Sequence, residues 1–187
     1  MTKITILVIL IAVTILAVIM LRKGNTGASS SKPDPEVYLG LRKQALEFTP
    51  ETLGNVQTVG NHQIYGVFME IGFPEAVVTL ATFVTGDASL YFSNGGGVIG
   101  GGAHESVRKR VAQLSNKADQ FVPLCRKTTE YPTPDRDQTI FYILTKEGVY
   151  TAEAVEDELG NQKSPLSPLF YAGQDVITEL RLTTDWK

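Results

Sequence analysis

The sequence predicts an α+β domain of element order α-βββ-α-ββ-α, carried behind one N-terminal transmembrane helix. Three observations lead there. Three β-rich segments between Ile64 and Ser93 are separated only by short turns, which implies an antiparallel meander. A stretch from His104 to Val122 places Val107, Val111, Leu114, Ala118, Phe121 and Val122 within an arc of roughly 120° at about 100° per residue, the signature of a helix with one packed face. Ile4 to Leu21 is a run of 18 residues without a charge. The first two imply an antiparallel sheet of about five strands packed by helices on one or both faces.

Taken in order, the apolar run comes first. At about 1.5 Å per residue it would extend roughly 27 Å, close to the hydrocarbon thickness of a bilayer. Arg22 and Lys23 follow it directly, where a stop-transfer flank belongs, so residues 1–23 read as a retained single-pass anchor rather than a cleaved signal peptide. Lys3 stands on one side of the run, and Arg22, Lys23 and Lys32 on the other. The positive-inside rule therefore orients the C-terminal domain toward the cytoplasm. Residues 24–34 are small, polar and proline-bearing, a flexible linker, and the α+β domain is expected over 35–187.

Within that domain, Asp34 suits an N-cap and Pro35 the first helical position, with Val37, Tyr38, Leu41, Ala45 and Leu46 at helical spacing up to about Phe48. Thr49-Pro50-Glu51 starts one further turn that stops at Gly54. Strands are expected over Ile64–Ile71, Ala76–Val84 and Ala88–Ser93, and in the first of them the odd-numbered face, Tyr65, Val67, Met69 and Ile71, is the apolar one. Pro123 ends the central helix, and Leu124 to Asp137 reads as loop. Thr139–Thr145 and Val149–Ala154 form a hairpin around Lys146-Glu147-Gly148, Asp157–Pro168 is loop, and a last helix covers about Leu169–Leu182. In element order alone, this arrangement resembles the profilin, roadblock and longin group of small sandwiches. No motif supports the likeness, so it implies a fold and no function.

Residues 24–187 hold 14 Lys and Arg against 20 Asp and Glu, a net of −6, which argues against a nucleic-acid partner, since phosphate neutralisation needs a basic surface. Cys125 is the only cysteine, which excludes an intramolecular disulfide and a cysteine-rich zinc site. No repeat of solenoid or propeller period is present.

The most unusual stretch is Gly95-Gly96-Gly97-Val98-Ile99-Gly100-Gly101-Gly102, six glycines in eight positions between the third strand and the central helix. It matches G-x-G-x-x-G literally, but the preceding strand belongs to a meander and no Walker A lysine follows, so the context of a dinucleotide site is missing. Two readings remain. Either the backbone geometry itself demands glycine, or Gly95, Gly96, Gly97, Gly100, Gly101 and Gly102 with Arg108 and Lys109 at the helix start form a site for an anion or an acidic partner segment. Val98 and Ile99 look like packing residues, which favours geometry. His62 and His104 lack metal or catalytic spacing, no Ser lies in a nucleophile elbow, and the acidic group Glu153, Glu156, Asp157 and Glu158 lacks the spacing of a calcium loop. No metal, cofactor or catalytic residue is therefore predicted. The function expected is a membrane-anchored, non-catalytic interaction domain with a protein partner, as in an accessory single-span subunit of a larger membrane complex. The alternative is an enzyme or ligand sensor using the glycine run with Arg108 and Lys109 to bind phosphate or nucleotide.

Overall fold

The computed structural model describes residues 35–183. The predicted anchor and linker lie outside the described residues, and among those described no helix is long and apolar enough to cross a membrane. The chain is α+β. Numbered in chain order, its helices are α1 (Pro35–Leu46), α2 (Glu105–Ala118), α3 (Glu156–Gly160) and α4 (Ser167–Thr183). Its strands are β1 (Ile64–Gly72), β2 (Val77–Phe83), β3 (Ala88–Phe92), β4 (Gly97–Val98), β5 (Arg126–Thr128), β6 (Gln138–Thr145) and β7 (Gly148–Val155). They form one antiparallel sheet in the order β4-β3-β2-β1-β6-β7-β5.

The sheet has seven strands, not about five, because each edge gains a short strand from a segment read as loop. β4 comes out of the glycine run and pairs with β3, and β5 comes out of the stretch after Pro123 and pairs with β7. Neither is long enough to show period-two alternation, the signal by which strands are recognised. Pro123 does not stop the helical path at once. Asp119–Leu124 continues as a 3₁₀ segment containing it, and α3 adds a single turn where loop was expected.

Helices cover both faces. Val67, Met69 and Ile71 of β1 join Leu80, Leu90, Phe141 and Ile143 under α2 and α4, which contribute Val107, Val111, Leu114, Phe170, Val176, Ile177 and Leu180. The opposite face, with Tyr65, Phe68, Phe83, Tyr91, Tyr142 and Leu144, packs against Tyr38, Ala45 and Leu46 of α1. The reading of the odd-numbered face of β1 as the apolar one is thereby corrected, since the even-numbered face is covered as well. All nine residues of β1 are buried, because α1 folds back over the even-numbered side. Tyr65 belongs with that side too, since the β1–β6 register shifts between Ile64 and Gly66. Burial of each large aliphatic or aromatic side chain is worth about 1.5–3 kcal/mol, so the two-sided core is the main source of stability.

Candidate functional site

The glycine run divides into a hairpin and a helix entry. Gly95 (φ 101°) and Gly96 (φ 84°) close the turn after β3, with the Gly95 amide donating to the Phe92 carbonyl at 2.9 Å and the Phe92 amide to that of Gly96 at 3.2 Å. Gly97 then lies opposite Tyr91 and Val98 opposite Leu90. Val98 packs against the core as expected, whereas Ile99 is 68% exposed, because the two-residue strand ends before it and leaves it on the outer edge of the sheet. Gly100 (φ 82°) leads into a 3₁₀ turn over Gly101–Ala103. A side chain on Gly101 would collide with Leu180 of α4 and meet the Ala88 carbonyl oxygen at 2.9 Å, and one on Gly102 would collide with the Asp87 carboxylate. His104 is the N-cap of α2 and makes no side-chain capping bond.

Arg108 and Lys109, adjacent in sequence, serve different places. The Arg108 stem lies against Gly86 and its Nη1 donates to the Gly102 carbonyl at 2.6 Å, so this cation fastens the glycine run to the β2–β3 turn. Lys109, exposed, instead lines an open groove of about 730 Å³ between α2 and α4. Gln113, Asn116 and Lys117 continue the α2 wall, Gln120 of the following 3₁₀ segment extends it, and Pro168, Tyr171, Ala172 and Asp175 form the other. Arg110 bridges the walls, reaching Asp175 Oδ2 at 3.5 Å and Glu179 Oε1 at 3.6 Å. Such partly exposed pairs are worth a few tenths of a kcal/mol. Among the described residues no carboxylate pairs with Lys109 or Lys117, although Lys117 is half-buried. The Tyr171 hydroxyl donates to the Gly160 carbonyl at 2.6 Å, which ties α4 to α3.

The most elaborate polar cluster lies on the other face and was not anticipated. Arg42 of α1, 7% exposed, donates from Nε to Glu70 Oε1 and from Nη2 to Glu70 Oε2, both at 2.7 Å. Its Nη1 donates to the Tyr131 carbonyl at 2.9 Å and its Nη2 also to that of Pro132 at 3.1 Å. Glu70, fully buried in β1, accepts from the Thr79 hydroxyl at 2.9 Å, and that hydroxyl shares a bond of 2.9 Å with the Tyr38 hydroxyl. The Tyr142 hydroxyl donates to the Pro132 carbonyl, and its ring lies 5.8 Å from the Arg42 guanidinium carbon. Burial, reinforced by the Glu70 charge, pushes both tyrosines up to about 12, so neither ionises near neutrality. The cluster is a satisfied clasp between α1, the sheet and the 131–132 segment. Two signals for it were present in the sequence. Glu70 interrupts an apolar strand, and Arg42 follows Tyr38 by one helical turn on the side that carries Ala45 and Leu46.

Other reactive side chains are held in structural roles. Partial burial would raise the Asp119 carboxyl, but hydrogen bonds from the His62 and Asn61 amides and the His62 ring outweigh it and hold the group below its usual value. His62 Nδ1 lies 2.9 Å from Asp119 Oδ1, and among the described residues no hydroxyl or thiol hydrogen-bonds this ring. The Cys125 thiol, raised to about 11 by burial, donates to the Phe121 carbonyl. Among the described residues no group of three or more His, Cys, Asp or Glu is placed to hold a metal ion. No family model, curated protein or solved structure matches the chain.

Proposed function

We propose that this chain is a membrane-anchored, non-catalytic interaction domain, an accessory single-span subunit of a larger membrane complex, with its folded part on the cytoplasmic side. The observation that carries the reading is the charge-free run Ile4–Leu21 with Arg22-Lys23 behind it, leading through a short polar linker into α1. The first folded element, α1, is clasped to the sheet by Arg42 and Glu70. Engagement of Arg108 with the Gly102 carbonyl supports this reading over a phosphate or nucleotide pocket in the glycine run.

The test is purification of the full chain from its native membranes in mild detergent. The expected results are retention in the pellet after alkaline extraction, an intact N-terminus by mass spectrometry, and migration with a defined set of membrane proteins on a native gel. Release by alkali, a mature chain beginning after Ala28, or migration as an isolated chain would each refute it.

A further inference from the structure

Although residues 24–187 carry a net charge of −6, one side of the domain presents unpaired positive charge along a concave surface. Lys109 and Lys117 lie on the same wall of the α2–α4 groove, eight residues apart. Arg110, between them in sequence, pairs with Asp175 and Glu179, a trio with one net negative charge, so Lys109 and Lys117 leave the groove net positive by about one charge. Among the described residues neither lysine pairs with a carboxylate, so both are free to meet an incoming anion. Beside the polar Gln113, Asn116 and Gln120, the walls carry small or apolar side chains, Ala112 on one and Pro168, Ala172 and the Tyr171 ring on the other. This combines a surface for a chain to lie on with two cations to fix its register.

We propose that the α2–α4 groove binds a short, extended acidic segment of a protein partner. The inference rests on the interaction-domain reading and deepens it. Along a helix axis Lys109 and Lys117 are separated by about 12 Å, which an extended chain covers in about four residues. The segment therefore carries carboxylates three or four positions apart, with small or apolar side chains between them set against Ala112, Ala172 and Tyr171. The spacing of the two cations and the small or apolar side chains of the walls favour a peptide over a compact phosphate group, which would use one cation and leave the other uncovered. Lys109 thus takes part in recognition through the groove rather than through the glycine run.

The test is fluorescence anisotropy with the full chain in detergent and a short fluorescein-labelled peptide bearing two glutamates about four positions apart on an alanine background. Saturable binding is expected, weakening as salt rises because the pairing is screened. It should fall at least about tenfold in the Lys109→Glu, Lys117→Glu double variant. Both lysines contact solvent, so the variant should stay folded, with a melting temperature lowered only slightly by the acid in the last turn of α2. Should it not, the Lys109→Gln, Lys117→Gln chain, with an expected loss of several-fold, takes its place. No saturable binding at low salt, or equal binding by parent and variant, overturns the proposal. Tighter binding of tripolyphosphate than of the peptide also overturns it, in favour of a phosphate ligand. The native-gel experiment keeps the two levels apart. A double variant that still migrates with the complex while the peptide fails to bind removes the groove and leaves the interaction reading standing. A parent chain that binds the peptide but migrates alone does the reverse.

Discussion

Replacing Glu70 with leucine is the sharpest perturbation of the clasp. In the folded protein it leaves the Arg42 guanidinium, 7% exposed, without its counter-charge and without two of its four hydrogen bonds. Breaking a buried ion pair from one side usually costs about 3–5 kcal/mol, because the remaining charge stays desolvated. The carbonyls of Tyr131 and Pro132 still accept from Arg42, so the lower end, about 3 kcal/mol, is expected. Removing both charges in Arg42→Met, Glu70→Leu should recover part of the loss and end within about 2 kcal/mol of the parent, since the apolar pair carries no desolvation cost but the Tyr131 carbonyl loses its Arg42 donor. The Thr79 and Tyr38 hydroxyls keep each other as partners. Urea unfolding followed by circular dichroism measures the global term, and hydrogen exchange of the α1 amides detects the case in which α1 lifts off before the sheet melts. A double-mutant cycle should return a coupling of at least about 2 kcal/mol. The reasoning is refuted if Glu70→Leu costs less than about 1 kcal/mol while α1 stays protected, or if the two substitutions add without coupling.

Three further outcomes follow from the packing. Leu114→Ala, at a position 1% exposed between α2 and the sheet, should lower stability by about 2–5 kcal/mol in urea titrations. Gly101→Ala should cost about 1–3 kcal/mol through overpacking against Leu180 and the Ala88 carbonyl, while Arg108→Ala should cost about 1 kcal/mol or less for one exposed bond to Gly102, both read as shifts in melting temperature. Burial first, and then the charges of Asp137 and Asp157, push the Glu156 carboxyl up to about 7 from 4.5. Because the folded state holds this proton more tightly than the unfolded one, the contribution is fully present below about 4.5 and is lost as pH rises through 7. Glu156→Gln should therefore flatten the fall in stability over that window and leave the protein about 1–2 kcal/mol more stable than the parent at pH 8, after allowance for the group's partial exposure.

Local periodicity was enough to place the five main strands and the helices α1, α2 and α4 to within a few residues, because each repeats its apolar residues over several turns or alternations of its own length. The buried stripe of α2 was legible for the same reason, and the hairpin glycine Gly148 by its place between two β-rich arms. The sequence also determined the demand for unusual backbone at residues 95–102, since only a structural or ligand-driven need accounts for so many glycines in one place. What that demand consists of was decided elsewhere in the chain, by Leu180, Ala88 and Asp87, which lie close to the glycine run in space but outside it in sequence. The same holds for the separation of Arg108 from Lys109. Their roles diverge because Gly86 lies beneath one and α4 stands across from the other. Arg42 and Glu70 are 28 residues apart, and their pairing exists only because α1 folds back over the even-numbered side of β1. Periodicity reports which residues of one element share a face, but the partner of that face is set by the packing of whole elements, and that is where the clasp and the groove arise.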